Sequence, residues 1–156
     1  MNVEAVIERT GVPVVEYALP EGVRGTTGDV AGRRAIILNR NWRFSSENER
    51  RWVLAEELGH VLLEHQLVES TEPGAFQDGL LEDRRVVCER EARAFAAELL
   101  MPLAETRRYW LVAASGRFGP TGEASTDDIV RTLAQEFGVT PSAMRVRLRG
   151  LRLLAR

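Results

Sequence analysis

Six consecutive residues, Ala55-Glu56-Glu57-Leu58-Gly59-His60, hold the side chains of this chain best suited to acid–base or metal chemistry. On a helix, positions 57 and 60 lie within one turn, so a carboxylate and an imidazole can face a common point. Metallohydrolase helices use a related spacing. Two histidines four residues apart grip the ion, and the glutamate after the first serves as general base. Here Glu57 stands at the base position, His60 at the second-ligand position, and Glu56 where the first histidine would be. A bare Glu-x-x-His also arises by chance on charged helix faces, so its surroundings decide its weight.

Two other side chains are second-choice ligands. His65 lies five residues beyond His60, about 140° round an ideal helix, and shares its face only if the helix ends near Glu64. Otherwise it is a helix-terminal imidazole favoured by the negative end of the dipole. Cys88 could offer a thiolate to zinc, but a lone helical cysteine is usually a small buried apolar residue. A carboxylate-bridged di-iron bundle needs a second Glu-x-x-His, and two histidines in the whole chain do not supply it.

The elements that must position these groups follow from pattern. Val3, Val6 and Ile7 predict a short helix closed by Gly11. Val12 to Leu19 is rich in β-formers, and Gly25 to Val30 and Arg34 to Asn39, joined through Ala31-Gly32-Arg33, predict a hairpin. Together these give a small antiparallel sheet. Ser46-Glu47-Asn48-Glu49 has the form of a capping box, starting a helix that runs to about His65 with Trp52, Leu54, Leu58, Val61 and Leu62 inward. Residues 66–79, with Pro73, Gly74 and Gly79, read as a loop. A second long helix fits Glu82 to Leu100, limited by Pro102, and a third fits Leu103 to Ala114. A glycine-rich break from Ser115 to Gly122 follows. Ser125, with Asp127 and Asp128 after it, caps a helix with the stripe Ile129, Val130, Leu133, Ala134 and Phe137, ended by Gly138. Thr140 and Pro141 open a last helix through Met144, Val146 and Leu148. Helix, glycine turn, helix is the outline of a helix-turn-helix. The fold expected is α+β, a small antiparallel sheet packed on two long helices plus a helical C-terminal portion. Residues 1–114 form the main domain and 115–156 an extension packed on it.

Composition narrows the function classes. Apolar residues make up 44% and charged residues 28% of the 156, an ordinary globular balance. The longest apolar runs, such as Ala35-Ile36-Ile37-Leu38, are too short to span a bilayer. The start, Met1-Asn2-Val3-Glu4, shows no basic stretch leading into an apolar one, so no secretory leader is expected. A single cysteine suits a reducing interior. The expected address is cytoplasmic. A net charge of -2 gives no general attraction to nucleic acid. All the basic residues are arginine, which leaves no lysine for Schiff-base chemistry.

Arg51-Trp52-Val53-Leu54-Ala55-Glu56-Glu57-Leu58-Gly59-His60 resembles the signature helix of the ImmA/IrrE metallopeptidases, a His-Glu-Leu-Gly-His run preceded by an arginine and apolar residues. Glu91-Ala92-Arg93-Ala94-Phe95-Ala96-Ala97-Glu98-Leu99-Leu100-Met101-Pro102 is similar to the family's second motif. The strand Ala35 to Asn39 resembles the one that borders the substrate cleft in such peptidases, and the C-terminal helices are similar to the family's own. The resemblance implies a zincin-like fold in which Glu91 is the third metal ligand, beside Glu56 and His60, and Glu57 the general base. It implies a cytoplasmic metallopeptidase, zinc-dependent, that cleaves a partner helix-turn-helix repressor to relieve repression of stress or mobile-element genes.

Glu56 departs from the pattern. With Glu91 it makes two anionic oxygen ligands to one nitrogen, which acidify a bound water less and tilt preference from zinc toward manganese or iron, or toward no metal. Three readings follow. The first is a metal-dependent endopeptidase acting on a repressor. The second is a weakened or inactive relative that binds the repressor through the same cleft. The third is a DNA-binding regulator that presents Arg145, Arg147 and Arg149 to phosphates. The alternate spacing of those arginines spreads them around a helix, which favours a solvated face instead. Trp42, Trp52 and Trp110 read as core or interface anchors.

Overall fold

The structure, a computed structural model, describes residues 2–65, 79–115 and 125–154, with backbone alone for 79–82. Residues 66–78 of the loop expected over 66–79, and most of the glycine-rich break, lie outside the described residues. The chain is α+β. Helix α1 (Val3–Thr10) leads to β1 (Val14–Tyr17), β2 (Gly25–Val30) and β3 (Arg33–Asn39). Five helices follow: α2 (Glu47–Leu62), α3 (Gly79–Leu100), α4 (Leu103–Ala114), α5 (Thr126–Phe137) and α6 (Pro141–Gly150). No helix among the described residues is long and apolar enough to cross a membrane.

The sheet has the order β1-β3-β2. β2 and β3 form the expected hairpin, with Val30 opposite Arg33 across Ala31 and Gly32. Both turn residues have positive φ, 53° and 74°, as the twist of a two-residue hairpin requires. The expectation of a purely antiparallel sheet is corrected here: β1 runs parallel to β3, with Val14 opposite Ile36, so the sheet is mixed. β3 is the most deeply buried strand, Ala35, Ile36 and Leu38 lying in the core, and it takes the centre. The chain must therefore pass the end of β3 before entering β2. Asn39 serves that crossing: its side chain donates to the Val23 carbonyl at 2.7 Å and accepts from the Leu19 amide at 3.1 Å. The edge strands are consequently β1 and β2, and the run Ala35–Asn39 lies between them as β3.

α2 begins as its sequence predicts, with Ser46 accepting from the Glu49 amide at 3.2 Å. The reciprocal half of the capping box is shifted by one residue, because Glu49 accepts from the Ser45 amide and hydroxyl, each at 2.7 Å. Val53, Leu54, Ala55, Glu56, Leu58 and Gly59 are all buried, more than a one-sided stripe would give. The helix is covered by the sheet on one side and α3 on another. Leu62, expected inward, is exposed, since the helix ends there. α3 starts at Gly79, three residues before the expected Glu82. Its line Ala92, Ala96 and Leu100 is buried and packs on α2 at its narrowest point, Gly59.

The C-terminal helices join the same core through Val130, Leu133, Val139, Met144 and Leu148. Ser125 and Thr140 cap α5 and α6 as expected. Gly138 closes α5 with φ at 60°, and Arg51 of α2 donates to the Gly138 carbonyl at 2.6 Å. A Cβ on Gly138 would lie 1.9 Å from that guanidinium. Gly138→Ala is therefore expected to destabilise the protein by about 2 kcal/mol, from left-handed backbone strain plus the displaced arginine. A denaturant midpoint unchanged from wild type would refute this.

Candidate functional site

Three elements build the site: α2, the start of α3's packed region, and β2, one of the two edge strands. At the β2 end, Gly25 comes so close to α2 that a Cβ there would sit 2.8 Å from Val53 Cγ1 and 3.4 Å from Glu57 Cγ. The absent side chain is what lets the edge strand descend onto Glu57. At the other end of α2 the chain reverses. Glu64 adopts a left-handed φ of 54° and the His65 amide donates to the His60 carbonyl at 3.0 Å. The reversal folds His65 back beside His60, with ring centroids 5.0 Å apart and planes at 74°. The condition set by the sequence, a helix ending near Glu64, is met by the end of α2 at Leu62, and His65 enters the site. Arg34 of β3 donates to the His65 carbonyl and fixes the reversal.

The polar contacts form two linked chains. His60 Nδ1 lies 3.1 Å from His65 Nδ1, and His65 Nε2 lies 3.1 Å from Glu91 Oε2. On the other side, His60 Nε2 faces Glu89 Oε1 at 3.7 Å. Glu89 Oε2 accepts from Arg93 Nη2 at 3.2 Å, and Arg93 Nε donates to Glu56 Oε1 at 2.9 Å. Glu56 is buried, only 8% exposed. The glutamate facing His60 is thus Glu89, while Glu91 reaches the site through His65.

Burial sets the electrostatics. Glu57 is desolvated, and repulsion from Glu56 and Glu89 adds to this, so its carboxyl is pushed up to about 8 against the opposing pull of Arg24. The shift favours its protonated form. His60 is held below the usual imidazole range, chiefly by burial, with His65 and Arg34 adding to it. The Glu89 carboxylate pulls the other way and does not offset the lost hydration. Arg93 is raised, first by its hydrogen bond to Glu56.

A divalent ion held by Glu56, His60 and Glu91 needs those three groups free to converge. Glu56 is engaged with Arg93, His60 presents Nδ1 to His65, and Glu91 is taken up by His65. Among the described residues, no three His, Cys, Asp or Glu side chains are disposed to hold a metal ion. The donor set has suitable chemistry, but the residues as arranged do not fit the metal. What the cluster can do is hold a proton on Glu57, beside an edge strand.

Cys88 is a half-buried free thiol on α3, outside any such group. Tyr109 belongs to the α4–α5 junction, stacked edge-on against Phe137 and donating to Glu136 at 3.0 Å. Arg145 pairs with Asp127 at 2.8 Å, and Arg147 with Glu98 and the Met101 carbonyl. Two of the three tail arginines are therefore engaged within the chain. Sequence reasoning did not single out Glu89, Arg93 or Arg34. The first two carried a signal. With Ala92 facing α2, positions 89 and 93 fall on one flank, at about 60° and 100°, and 91 on the other, at about 100° per residue.

Comparison with known families gives a match to the IrrE N-terminal-like domain over residues 7–149. No curated protein matches the chain at a significant level. The family is a metal-dependent peptidase family, and its model spans the sheet, the Glu57–His60 helix and the C-terminal helices alike. A match of that extent, over nearly every element described, places this chain in the ImmA/IrrE family.

Proposed function

We propose that this chain is a regulatory protein of ImmA/IrrE type that engages an extended segment of a helix-turn-helix repressor between the outer edge of β2 and the Glu57 face of α2. The observation that carries this reading is the close approach of Gly25 to Glu57. An extended segment added to β2 gains backbone hydrogen bonds along the edge, and its carbonyls pass the Glu57 carboxyl. In its protonated form, Glu57 donates to such a carbonyl. That favours capture of the segment.

A second reading, metal-dependent cleavage of the same repressor, is supported by the family and by Glu57 and His60 standing three residues apart. It requires Glu56 to leave Arg93. Binding of the neighbouring-gene repressor, followed by calorimetry and by gel electrophoresis with added Zn²⁺ or Mn²⁺, separates the two. The expected result is binding without cleavage, retained in Glu57→Gln and weakened at least about ten-fold in a folded Gly25→Val protein, the equivalent of roughly 1.4 kcal/mol. Undiminished affinity in Gly25→Val, or no binding at all, would end the reading. Cleavage lost in Glu57→Gln would establish the second.

A further inference from the structure

We propose that Arg93 is the resident cation of this site, and that its guanidinium excludes a divalent ion from the cluster of Glu56, His60 and Glu89. The inference starts from Glu56. A carboxylate only 8% exposed must be protonated or paired, because an uncompensated buried charge is strongly destabilising. Arg93 meets it at 2.9 Å through Nε and spans to Glu89 at 3.2 Å through Nη2. One planar fork thus ties the two carboxylates that flank His60. A guanidinium does not lose its proton in a protein, so this cation cannot be titrated away at any working pH.

The pairing is competitive with a metal for two reasons. First, Glu56 occupies the position of the missing first histidine, and the oxygen nearest Arg93 is committed to it. An ion that took this oxygen would have to break that hydrogen bond first. Second, an ion bound between Glu56 and His60 would lie close to the guanidinium, and two cations at contact distance in a partly desolvated site repel strongly. The anionic Glu56 pairs with an internal cation, and that cation supplies the charge neutralisation an ion would otherwise supply. The Arg93 side chain is 62% exposed, held over the mouth of the site by its two carboxylates, and so it can be replaced without opening the core. This inference holds whether or not a repressor is the partner.

The test is metal binding by the full chain purified without chelator. Bound metals are measured by mass spectrometry, Zn²⁺ and Mn²⁺ affinities by calorimetry, and thermal midpoints with and without each ion. Wild type is expected to carry well under one ion per chain, with a midpoint indifferent to metal or chelator. Arg93→Gln should bind at least about ten-fold more tightly, and Glu56→His/Arg93→Gln about a hundred-fold or more, with metal raising the midpoint of both. The double variant removes the buried charge along with its partner, so it reports even if Arg93→Gln alone folds poorly. Arg93→Lys, which keeps the charge, should stay near wild type. Stoichiometric metal in the wild type, or affinities unchanged by removing the guanidinium in both variants, overturns the proposal.

Discussion

Glu57→Gln is expected to stabilise the protein at alkaline pH, by about 2–4 kcal/mol relative to wild type in the presence of chelator. In the folded chain burial and two neighbouring carboxylates push Glu57 up to about 8, from an ordinary value of 4.5. Below the unfolded value both states hold the proton and the residue contributes no pH dependence. Between 4.5 and about 8 the folded state holds a proton that the unfolded state has released. Stability must then fall as pH rises through that window, and level off above it. Glutamine keeps the shape of the neutral acid and loses the titration. His60 works in the opposite sense. Its depressed folded value makes stability rise with pH up to the unfolded imidazole range, so the wild-type curve alone is ambiguous. The informative quantity is the difference between variant and wild type, from urea unfolding at pH values of about 5, 7 and 9. Parallel curves would show that Glu57 is not buried against Glu56 and Glu89.

Gly59→Leu should cost about 3 kcal/mol and dismantle the polar site as well. A Cβ at this position would already meet Phe95 Cδ1 at 3.0 Å and the Ala92 Cα and carbonyl oxygen at 3.2 Å. Backbone cannot swing aside as a flexible side chain can. A leucine must therefore push α3 away from α2, and overpacking of this kind outweighs the roughly 1 kcal/mol of helix propensity gained over glycine. Separating the helices also draws Arg93 from Glu56 and Glu89 from His60, since all four side chains flank the contact. The check is a denaturant midpoint together with the repressor and metal affinities. A leucine variant as stable as wild type would mean that the helices are not in contact at Gly59. Gly59→Ala, with a smaller intrusion, should fall between the two.

Much of the architecture was legible because its signals are local. Ser46, Ser125 and Thr140 cap helices in the structure as their positions suggested, and Gly11 and Gly138 close helices with left-handed backbone. Such signals act over three or four residues and survive any arrangement of the whole chain. Pro102 separates α3 from α4 for the same reason. The sheet was read less well. Alternation and turn residues identify strands and a hairpin, but nothing within Val14–Tyr17 states that it will lie parallel to a strand met later. That depends on the chain skipping a place to reach β2, and Asn39 secures the skip through contacts some twenty residues distant.

The candidate site divides along the same line. By itself the sequence determined that Glu57 and His60 share one helix, that a second motif would supply an acidic helix beside it, and that both belong to the ImmA/IrrE pattern. Only the tertiary structure decided that Glu89 faces His60, that Arg93 takes Glu56, and that a left-handed Glu64 brings His65 back to its neighbour. The difference is physical. Residues within a few positions of one another are placed by the helix itself. Pairs such as Glu56 with Arg93 are placed by the rotation and closeness of two helices, which Gly59 and Ala92 set by having almost nothing between them.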